Sequence, residues 1–546
     1  MIPDKLLKHE INRVLDTAQE KRAWTIIESP YSQQILDHIS TQDSYLIIKS
    51  AWGTDSQILL QYIQPEKICS FIDLDCWEND TLSIQKLIAW LWELLNTSPE
   101  TLAKTLDKID IELIVLLLQS YLEVVQLSPT DENIPDLINA GFETLDDIYY
   151  IRFFRECEEN DLLKSLMNII LDQYPGMYFL IMDSIQFEFS SNMLEQAYQN
   201  HTLRLIELGF PEREEAMLIY KRASIKNLIH QGIQKQKIPH LEQDEYTLPA
   251  LYHEHLSHSK EIVFQALDKT DFDTQQRFLF EMVYLTNKII VADYRPINEV
   301  EEIQQGLSKA KAITSLGLEI AEQETNLPLW RIIKEINAET LFSLGYNAII
   351  QKQKRLKKIL KTIDLSLIPS AYRDFVEGLL SKRPRYLGHE YSSLAQINTT
   401  DCMLDRLESM ISIIETLDWR KELSSVSATN LKSDQEIDLE NIIITTLALN
   451  ILEGKTNFRP LGIEETLSFL KLTTKIGADG QRRCVPGLVG DAIILLETLA
   501  YAITPEVVSD TAKNLIARLE DEIAGLQDIQ DLDPRFISCL VIELPL

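Results

Sequence analysis

Apolar residues recur at helical spacing in nearly every segment of this chain that is longer than about ten residues. Such a period gives each segment one apolar face, which becomes buried when helices pack against each other. Glycine, which many folds use in tight turns, is scarce, with 17 among 546 residues. This scarcity argues against dinucleotide-binding folds and β-propellers, so the sequence predicts an all-α protein.

The helices predicted in the N-terminal part are short and closely joined. Pro65 opens one helix, Leu82–Leu95 forms the next, and Ile109–Val125 is predicted as a strong helix. Helices of roughly two to four turns with short joints indicate an irregular multi-helix array that is solenoid-like in this part. No strict repeat period occurs, so a regular repeat family is not indicated.

Two segments depart from the helical pattern. Residues 141–153 are rich in aromatic and β-branched residues around Asp146 and Asp147, which predicts a small β-hairpin although its turn lacks glycine. The apolar tail Phe536–Leu546 predicts a closing C-terminal strand or a docked extended segment.

Polar stretches suggest how the chain divides into domains. The best linker is 231–249, which is polar and carries two prolines, and further loops are predicted at 381–399 and 424–436. The predicted domains are an N-terminal helical array, a central helical domain and a C-terminal helical domain. Their bounds are 1–235, 250–380 and 381–546.

Charge and apolar run length limit the classes of partner. The net charge of −32 repels nucleic-acid phosphates and anionic membrane surfaces. The longest apolar stretches are interrupted by acidic or polar residues before they reach about 18 residues, so no membrane insertion is expected. Protein is therefore the expected partner, and no nucleic acid is expected.

The cysteines and the N-terminus predict the compartment. The six cysteines lie far apart and form no Cys-x-x-Cys pair, so neither a disulfide framework nor a zinc framework is indicated. No apolar run follows Met1 that would serve as a signal peptide. We expect a reduced, soluble, cytoplasmic protein.

Several sequence blocks carry a resemblance to a known family. They recur in order over most of the chain: 71–80 (FIDLDCWEND) with Trp90-Leu91, 144–150 (TLDDIYY), 174–178 (YPGMY), 203–220 (LRLIELGFPEREEAMLIY), 316–319 (LGLE), 341–346 (LFSLGY) and 379–384 (LLSKRP). The chain resembles a bacterial family of large uncharacterised helical proteins, a domain of unknown function. The resemblance implies a soluble helical protein and no activity. More loosely, Tyr45–Val125 is similar to the cytosolic helical domain of magnesium channel-transporters, which is an analogy of fold alone.

The densest carboxylate cluster is a candidate metal site. Asp73, Asp75 and Asp80 lie close in sequence, and their oxygens suit Mg²⁺ or Ca²⁺, although the cluster lacks the glycine and glutamate of an EF-hand. The structural alternative is favoured, in which Asp73 and Asp75 bond backbone N–H groups and Asp80 caps the next helix. In that case Trp77 is buried between two helices.

Two further clusters are weaker candidates. His255 and His258 share a helix face and are candidate metal ligands, but their spacing matches no zinc motif, and a solvated surface is favoured. The basic run 352–361 has apolar residues at helical spacing, so its charges are predicted on the outer face near a helix C-terminus. The alternative is docking to an acidic surface or to nucleic acid.

No nucleotide-binding loop or catalytic signature occurs, so no catalysis and no cofactor are expected, although dispersed residues can still form an active site. The favoured function is a cytoplasmic scaffold or adaptor that binds other proteins. The alternatives are a divalent-cation-responsive regulatory module centred on the acidic cluster, and an enzyme whose site is assembled from dispersed acidic residues.

Overall fold

The computed structural model describes residues 4–128, 130, 132–221, 252, 256, 260–425, 437–477, 480–500, 503–526, 529 and 537–543. These residues form twenty-six α-helices and seven short β-strands, which confirms the prediction of a mostly helical protein with small β elements. None of the helices in these ranges is both long and apolar enough to cross a membrane.

The chain forms two compact units, Met1–Ser343 and Leu344–Leu546. The helices that lie wholly in the first unit are α1 (Asp4–Leu15), α2 (Gln19–Ile27), α3 (Ser32–His38), α4 (Thr41–Ser50), α5 (Ser56–Leu60), α6 (Pro65–Asp75), α7 (Ile84–Thr97), α8 (Pro99–Leu106), α9 (Ile111–Gln119), α10 (Ile134–Asn139), α11 (Glu159–Gln173), α12 (Pro175–Phe187), α13 (Ser190–Glu207), α14 (Arg213–Ala216), α15 (Ile262–Leu267), α16 (Phe272–Ala292), α17 (Val300–Thr325) and α18 (Leu329–Glu335).

Helix α19 (Ala338–Ile359) contains the boundary between the units. The remaining helices belong to the second unit: α20 (Ser370–Leu380), α21 (Leu394–Glu415), α22 (Trp419–Ser425), α23 (Leu439–Glu453), α24 (Ile463–Thr473), α25 (Gly487–Leu499) and α26 (Pro505–Ile523). The three-domain division predicted from the linkers stays a prediction. Its main linker, 231–249, lies outside the described residues.

The strands form three small antiparallel sheets. They are β1 (Trp77–Glu78), β2 (Thr81–Leu82), β3 (Leu122–Gln126), β4 (Glu143–Thr144), β5 (Tyr149–Phe153), β6 (Thr474–Ile476) and β7 (Arg482–Cys484). Strand β1 pairs with β2, β6 pairs with β7, and the three-stranded sheet has the order β3-β5-β4.

The predicted helix Ile109–Val125 is wrong at both ends, because α9 spans only Ile111–Gln119. Leu122–Gln126 instead forms β3, which pairs with β5, with Leu122 opposite Phe153. A short, continuously apolar run suits a buried helix and a buried strand equally well. Leu122–Gln126 is therefore a strand because it pairs with β5, about thirty residues away, and the local sequence pattern does not show that pairing.

The predicted hairpin at 141–153 is confirmed, and two aspartates take the place of the missing glycine in its turn. The Oδ1 atom of Asp146 accepts hydrogen bonds from the backbone N–H groups of Ile148 (3.0 Å) and Tyr149 (2.8 Å). Asp147 adopts a left-handed φ of 59°. Aspartate tolerates this conformation and its side chain mimics a turn, so the hairpin closes without glycine.

The described part of the C-terminal tail bends at 538–540, and the predicted extended segment is limited to 541–543. Leu461 N–H donates to the carbonyl of Val541 (2.9 Å), and Glu543 N–H donates back to the carbonyl of Leu461 (2.9 Å). These two bonds form one parallel bridge between Leu461 and Ile542. The tail thereby covers apolar surface inside the second unit, where Val541 and Ile542 are buried.

Candidate functional site

Asp73 and Asp75 lie in the last turn of α6, and not in a loop between helices. Both carboxylates are buried. The prediction that they bond backbone N–H groups is wrong, because their hydrogen-bond donors are side chains from other parts of the chain. Helix α6 packs against α4 and α13, and these two helices carry the basic partners, Lys49 on α4 and His201 and Arg204 on α13.

Asp73 is the centre of a buried ionic cluster. Arg204 of α13 donates from Nη2 to Asp73 Oδ1 (3.0 Å) and from Nη1 to Asp110 Oδ1 (3.1 Å). His201 Nδ1 lies 3.3 Å from Asp73 Oδ1. Trp77 stacks on the His201 ring, with centroids 4.6 Å apart and an interplanar angle of 20°. The prediction that Trp77 is buried is confirmed.

Asp75 accepts hydrogen bonds from three side chains. The donors are Lys49 Nζ (2.8 Å), Trp90 Nε1 (2.9 Å) and Asn298 Nδ2 (3.1 Å). Burial alone would raise the pKa of Asp75, but the hydrogen bond and charge of Lys49 oppose it. With the two neutral donors added, the pKa lies below the ordinary value of an aspartate, so Asp75 is ionised near neutral pH.

Asp80 is exposed and lies apart from this cluster. With Asn79, which has a left-handed φ of 59°, it forms the turn between β1 and β2. The predicted capping role of Asp80 is wrong. Ser83 caps α7 instead, since its hydroxyl accepts a hydrogen bond from the N–H of Lys86.

The sequence cluster therefore does not become one ligand set. In the ranges that the structure describes, no group of three or more His, Cys, Asp or Glu side chains could hold a metal ion. A divalent cation at Asp73 or Asp75 would have to displace Arg204 or Lys49, so the cation-responsive function stays a hypothesis. The other candidates, His255 and His258, lie outside the described residues.

The buried thiols offer no nucleophile. Burial raises the pKa of Cys69 and of Cys484 to about 12, and burial also raises the pKa of Cys76 and Cys539 well above the ordinary value. A thiol is nucleophilic only as the thiolate. These four cysteines are therefore protonated at neutral pH, and Cys69, Cys76 and Cys539 act as apolar core residues.

An exposed apolar corner joins α12 to α13. Leu180 and Phe187 are seven residues apart, which places them on one face of α12, and Phe189 follows in the joint. Their exposed fractions are 52%, 66% and 75%. The opposite face of α12 carries the buried Tyr178, so this helix is apolar on both sides.

The corner is held in place by one side chain of α9. Gln119 Nε2 donates to the carbonyls of Ile185 (3.4 Å) and Glu188 (3.0 Å), and Gln119 Oε1 accepts from Ser190 Oγ (2.8 Å). The last carbonyls of a helix lack intrahelical hydrogen-bond donors, and the amide of Gln119 acts as the donor here. The two phenylalanines are thus presented to solvent on a fixed backbone.

The charge around the corner has one sign. Between Lys164 and Arg204 the sequence has no lysine or arginine, and it has four acidic residues, Asp172, Asp183, Glu188 and Glu195. Sequence reasoning did not single out this surface, because apolar residues at helical spacing are usually read as one buried face. The available signal was the seven-residue spacing of Leu180 and Phe187, which does not match the spacing of the buried residues.

The chain belongs to a family of unknown function (DUF6178), whose model matches residues 5–543. The resemblance noted in the sequence is thereby confirmed over nearly the whole chain. No curated protein matches the chain, and no solved structure matches it.

Proposed function

We propose that this chain is a non-catalytic cytoplasmic scaffold that binds a partner protein at the α12–α13 corner. The observation that carries this proposal is the pair Phe187 and Phe189, which are among the most exposed large apolar side chains of the described residues. Contiguous exposed apolar surface is typical of interaction sites. Aromatic side chains dominate the binding energy of protein interfaces.

The rigidity of the corner supports a binding role. Gln119 already holds the backbone carbonyls of Ile185 and Glu188 and the side-chain hydroxyl of Ser190, so little main-chain entropy remains to be lost when a partner docks. The acidic residues of α12 and α13 favour a partner whose own surface is apolar and basic. They also disfavour nucleic acid at this place, since phosphates would be repelled.

The state of the cysteines supports the compartment. All six are free thiols in the structure. A protein with six unpaired cysteines suits a reducing compartment such as the cytoplasm.

The corner can be tested with a defined probe, a fluorescent 18-residue helical peptide of leucine and lysine. We expect micromolar binding at 150 mM salt by fluorescence anisotropy, and at least a tenfold loss in Phe187→Ser/Phe189→Ser. The matched comparison uses two single variants, Phe189→Ser in the corner and Phe272→Ser on α16, where Phe272 is 70% exposed. Only Phe189→Ser is expected to weaken peptide binding. Equal affinities of wild type and the corner variants would contradict the proposal, because binding would then reflect net charge alone.

A further inference from the structure

The charge of the chain reverses in one part of the second unit. Residues 352–389 contain ten Lys and Arg and three Asp and Glu, a net charge of +7 in a chain whose total is −32. Lysines near a helix C-terminus interact favourably with the helix dipole, which accounts for part of this excess. The dipole does not account for the basic residues beyond the helix.

The basic residues of α19 divide between two faces. Lys352 Nζ donates to Asp401 (2.7 Å), and Arg355 Nη2 donates to Glu408 (2.7 Å), so these two residues hold α19 against α21. The three other basic residues of α19 are exposed and lie at positions i, i+3 and i+4, which is one face of the helix, and one more exposed lysine lies in the turn just after the helix ends. They are Lys354, Lys357, Lys358 and Lys361, and no acidic partner contacts them within the described residues.

A second basic segment lies beside this face. Gln353 Nε2 donates to the carbonyls of Leu379 (2.9 Å) and Ser381 (2.8 Å), and Gln353 Oε1 accepts from Lys357 Nζ (3.0 Å). This side chain joins α19 to the end of α20, where the exposed Lys382 follows directly. Two segments about 25 residues apart in sequence thus lie side by side, and each carries exposed cations.

The loop after α20 is pressed against its helix. A Cβ atom on Gly378 would lie 2.8 Å from the carbonyl oxygen of Arg385, and Arg385 N–H donates to the carbonyl of Gly378 (2.9 Å). Only glycine allows this approach. The loop therefore holds Arg385 at a fixed position, with its side chain exposed and 3.4 Å from Glu390.

Leu387 is strained at the tip of this loop. Tyr386 and His389 exchange backbone hydrogen bonds (2.7 and 2.9 Å), and the two residues between them have φ values of 47° (Leu387) and 84° (Gly388). Leucine rarely adopts a positive φ. Packing does not compensate, since 43% of the Leu387 surface is exposed. Strain that the fold does not use is often a feature of functional sites.

We propose that these residues form a docking surface for an acidic, apolar segment of a partner protein. The surface, named here the basic face, comprises Lys354, Lys357, Lys358, Lys361, Lys382, Arg385 and Leu387. The six cations are complementary to carboxylates, and the exposed leucine supplies an apolar contact beside them. The proposal rests on the scaffold function in one respect, that the occupant is a protein.

Nucleic acid is the less favoured occupant. Single strands are bound by aromatic side chains on which bases stack, together with cations. The aromatic residue of this loop, Tyr386, instead makes an edge-on contact with Tyr391, with centroids 5.4 Å apart. The overall charge of the chain also opposes a polyanion at long range.

The probe for this surface is a fluorescent 18-residue helical peptide of leucine and glutamate, with an 18-nucleotide oligo(dT) as the competing anion. We expect the full chain to bind the peptide, more tightly at low salt, and to bind oligo(dT) at least tenfold more weakly. The variant Lys354→Glu/Lys358→Glu/Lys361→Glu is expected to lose at least tenfold in peptide affinity.

The matched control is Lys471→Glu/Lys475→Glu/Lys513→Glu, which changes the charge of the second unit equally at three other exposed lysines. It is expected to lose less than twofold. Equal losses in the two triple variants, or tighter binding of oligo(dT) than of the peptide, would overturn the proposal.

Leu387→Asn separates function from fold. Asparagine tolerates a positive φ, so the melting temperature is expected to rise or stay unchanged, while peptide affinity falls several-fold. Unchanged affinity would remove Leu387 from the surface. The corner variant Phe187→Ser/Phe189→Ser is expected to keep its affinity for the acidic peptide. A wild-type chain that binds the lysine peptide but not the acidic peptide would overturn this inference alone. A wild-type chain that binds the acidic peptide but not the lysine peptide would overturn the corner proposal alone.

Discussion

Two buried aspartates, one in each unit, show opposite electrostatic behaviour. Asp75 in the first unit and Asp438 in the second are both buried, and each is bonded to a basic side chain, Lys49 or Arg518. The pKa of Asp75 lies below the ordinary value, whereas burial raises the pKa of Asp438 above it. Burial and an ion pair are thus not enough to fix the sign of the shift.

The difference lies in how many carboxylates share one cation. Lys49 donates to Asp75 alone, and Trp90 adds a neutral donor. Arg518 Nη1 serves both Asp438 (3.0 Å) and Glu440, and burial raises the pKa of Glu440 as well. A shared cation compensates each charge only in part, so desolvation prevails. The pKa of Asp75 is therefore lowered, whereas the pKa values of Asp438 and Glu440 are both raised.

The two clusters therefore contribute to stability in different pH ranges. For Asp75 the folded pKa is lower than the unfolded value of about 3.9, so its contribution is present above that pH and is lost as the pH falls through the folded pKa. For Asp438 and Glu440 the sign is reversed. Their contribution is fully present below the unfolded pKa values and is lost as the pH rises through the raised ones.

The largest expected effect is that of Asp75→Ala, which we expect to lower the free energy of unfolding of the first unit by about 3 kcal/mol. The substitution leaves the buried Trp90 Nε1 without its acceptor and removes the partner of Lys49. Urea unfolding followed by tryptophan fluorescence measures it, since six of the seven tryptophans lie in the first unit.

The paired variant in the second unit is Asp438→Ala. It removes the N-cap of α23 but leaves Arg518 bonded to Glu440, so we expect the stability of α23 to fall by about 1 kcal/mol. Hydrogen exchange of the α23 amides measures this change. A loss from Asp438→Ala equal to that from Asp75→Ala would break the comparison, because the shared cation would then matter as much as the dedicated one.

These contacts mark where prediction from sequence ends. Helix periodicity is a local property, and the signals for α12 (Pro175–Phe187), an opening proline followed by apolar residues, lie within the helix itself. The partners of Asp73 and Asp75 are not local, since Arg204 and Asn298 are 131 and 223 residues away. Sequence reasoning therefore found a dense carboxylate cluster and assigned it to nearby backbone groups, because nothing local indicated the distant cations.

A smaller effect is expected for the acid response of the first unit. In the wild type the stability of this unit falls as the pH drops below about 4, partly because Asp75 takes up a proton more readily in the unfolded chain than in the folded one, where it pairs with Lys49. In Asp75→Asn this part of the fall is absent, so the curve is flatter although the variant is less stable at pH 7. Fluorescence-detected urea melts at each pH measure the slope. Parallel curves for the two proteins would show that Asp75 has no lowered pKa.

The smallest effect concerns Glu440→Gln, and it tests the shared cation directly. The substitution keeps the shape of the side chain and leaves Arg518 to Asp438 alone, so the second unit is expected to gain up to about 1 kcal/mol at pH 7. Since the raised pKa of Glu440 no longer contributes, stability should also fall less between pH 4 and pH 7 than in the wild type. Hydrogen exchange of α23 at these two pH values measures both quantities.

The control for this variant lies at the other end of the same helix. Hydrogen bonds from Lys455 and Arg459 lower the pKa of Glu453, so Glu453→Gln is expected to reduce stability at pH 7, in the opposite direction to Glu440→Gln. If both substitutions reduce the protection of α23, then the ionised Glu440 stabilises the helix in spite of its burial. In that case Arg518 would compensate two carboxylates as fully as Lys49, Trp90 and Asn298 compensate Asp75. The opposite pKa shifts of Asp75 and Asp438 would then have to come from burial alone.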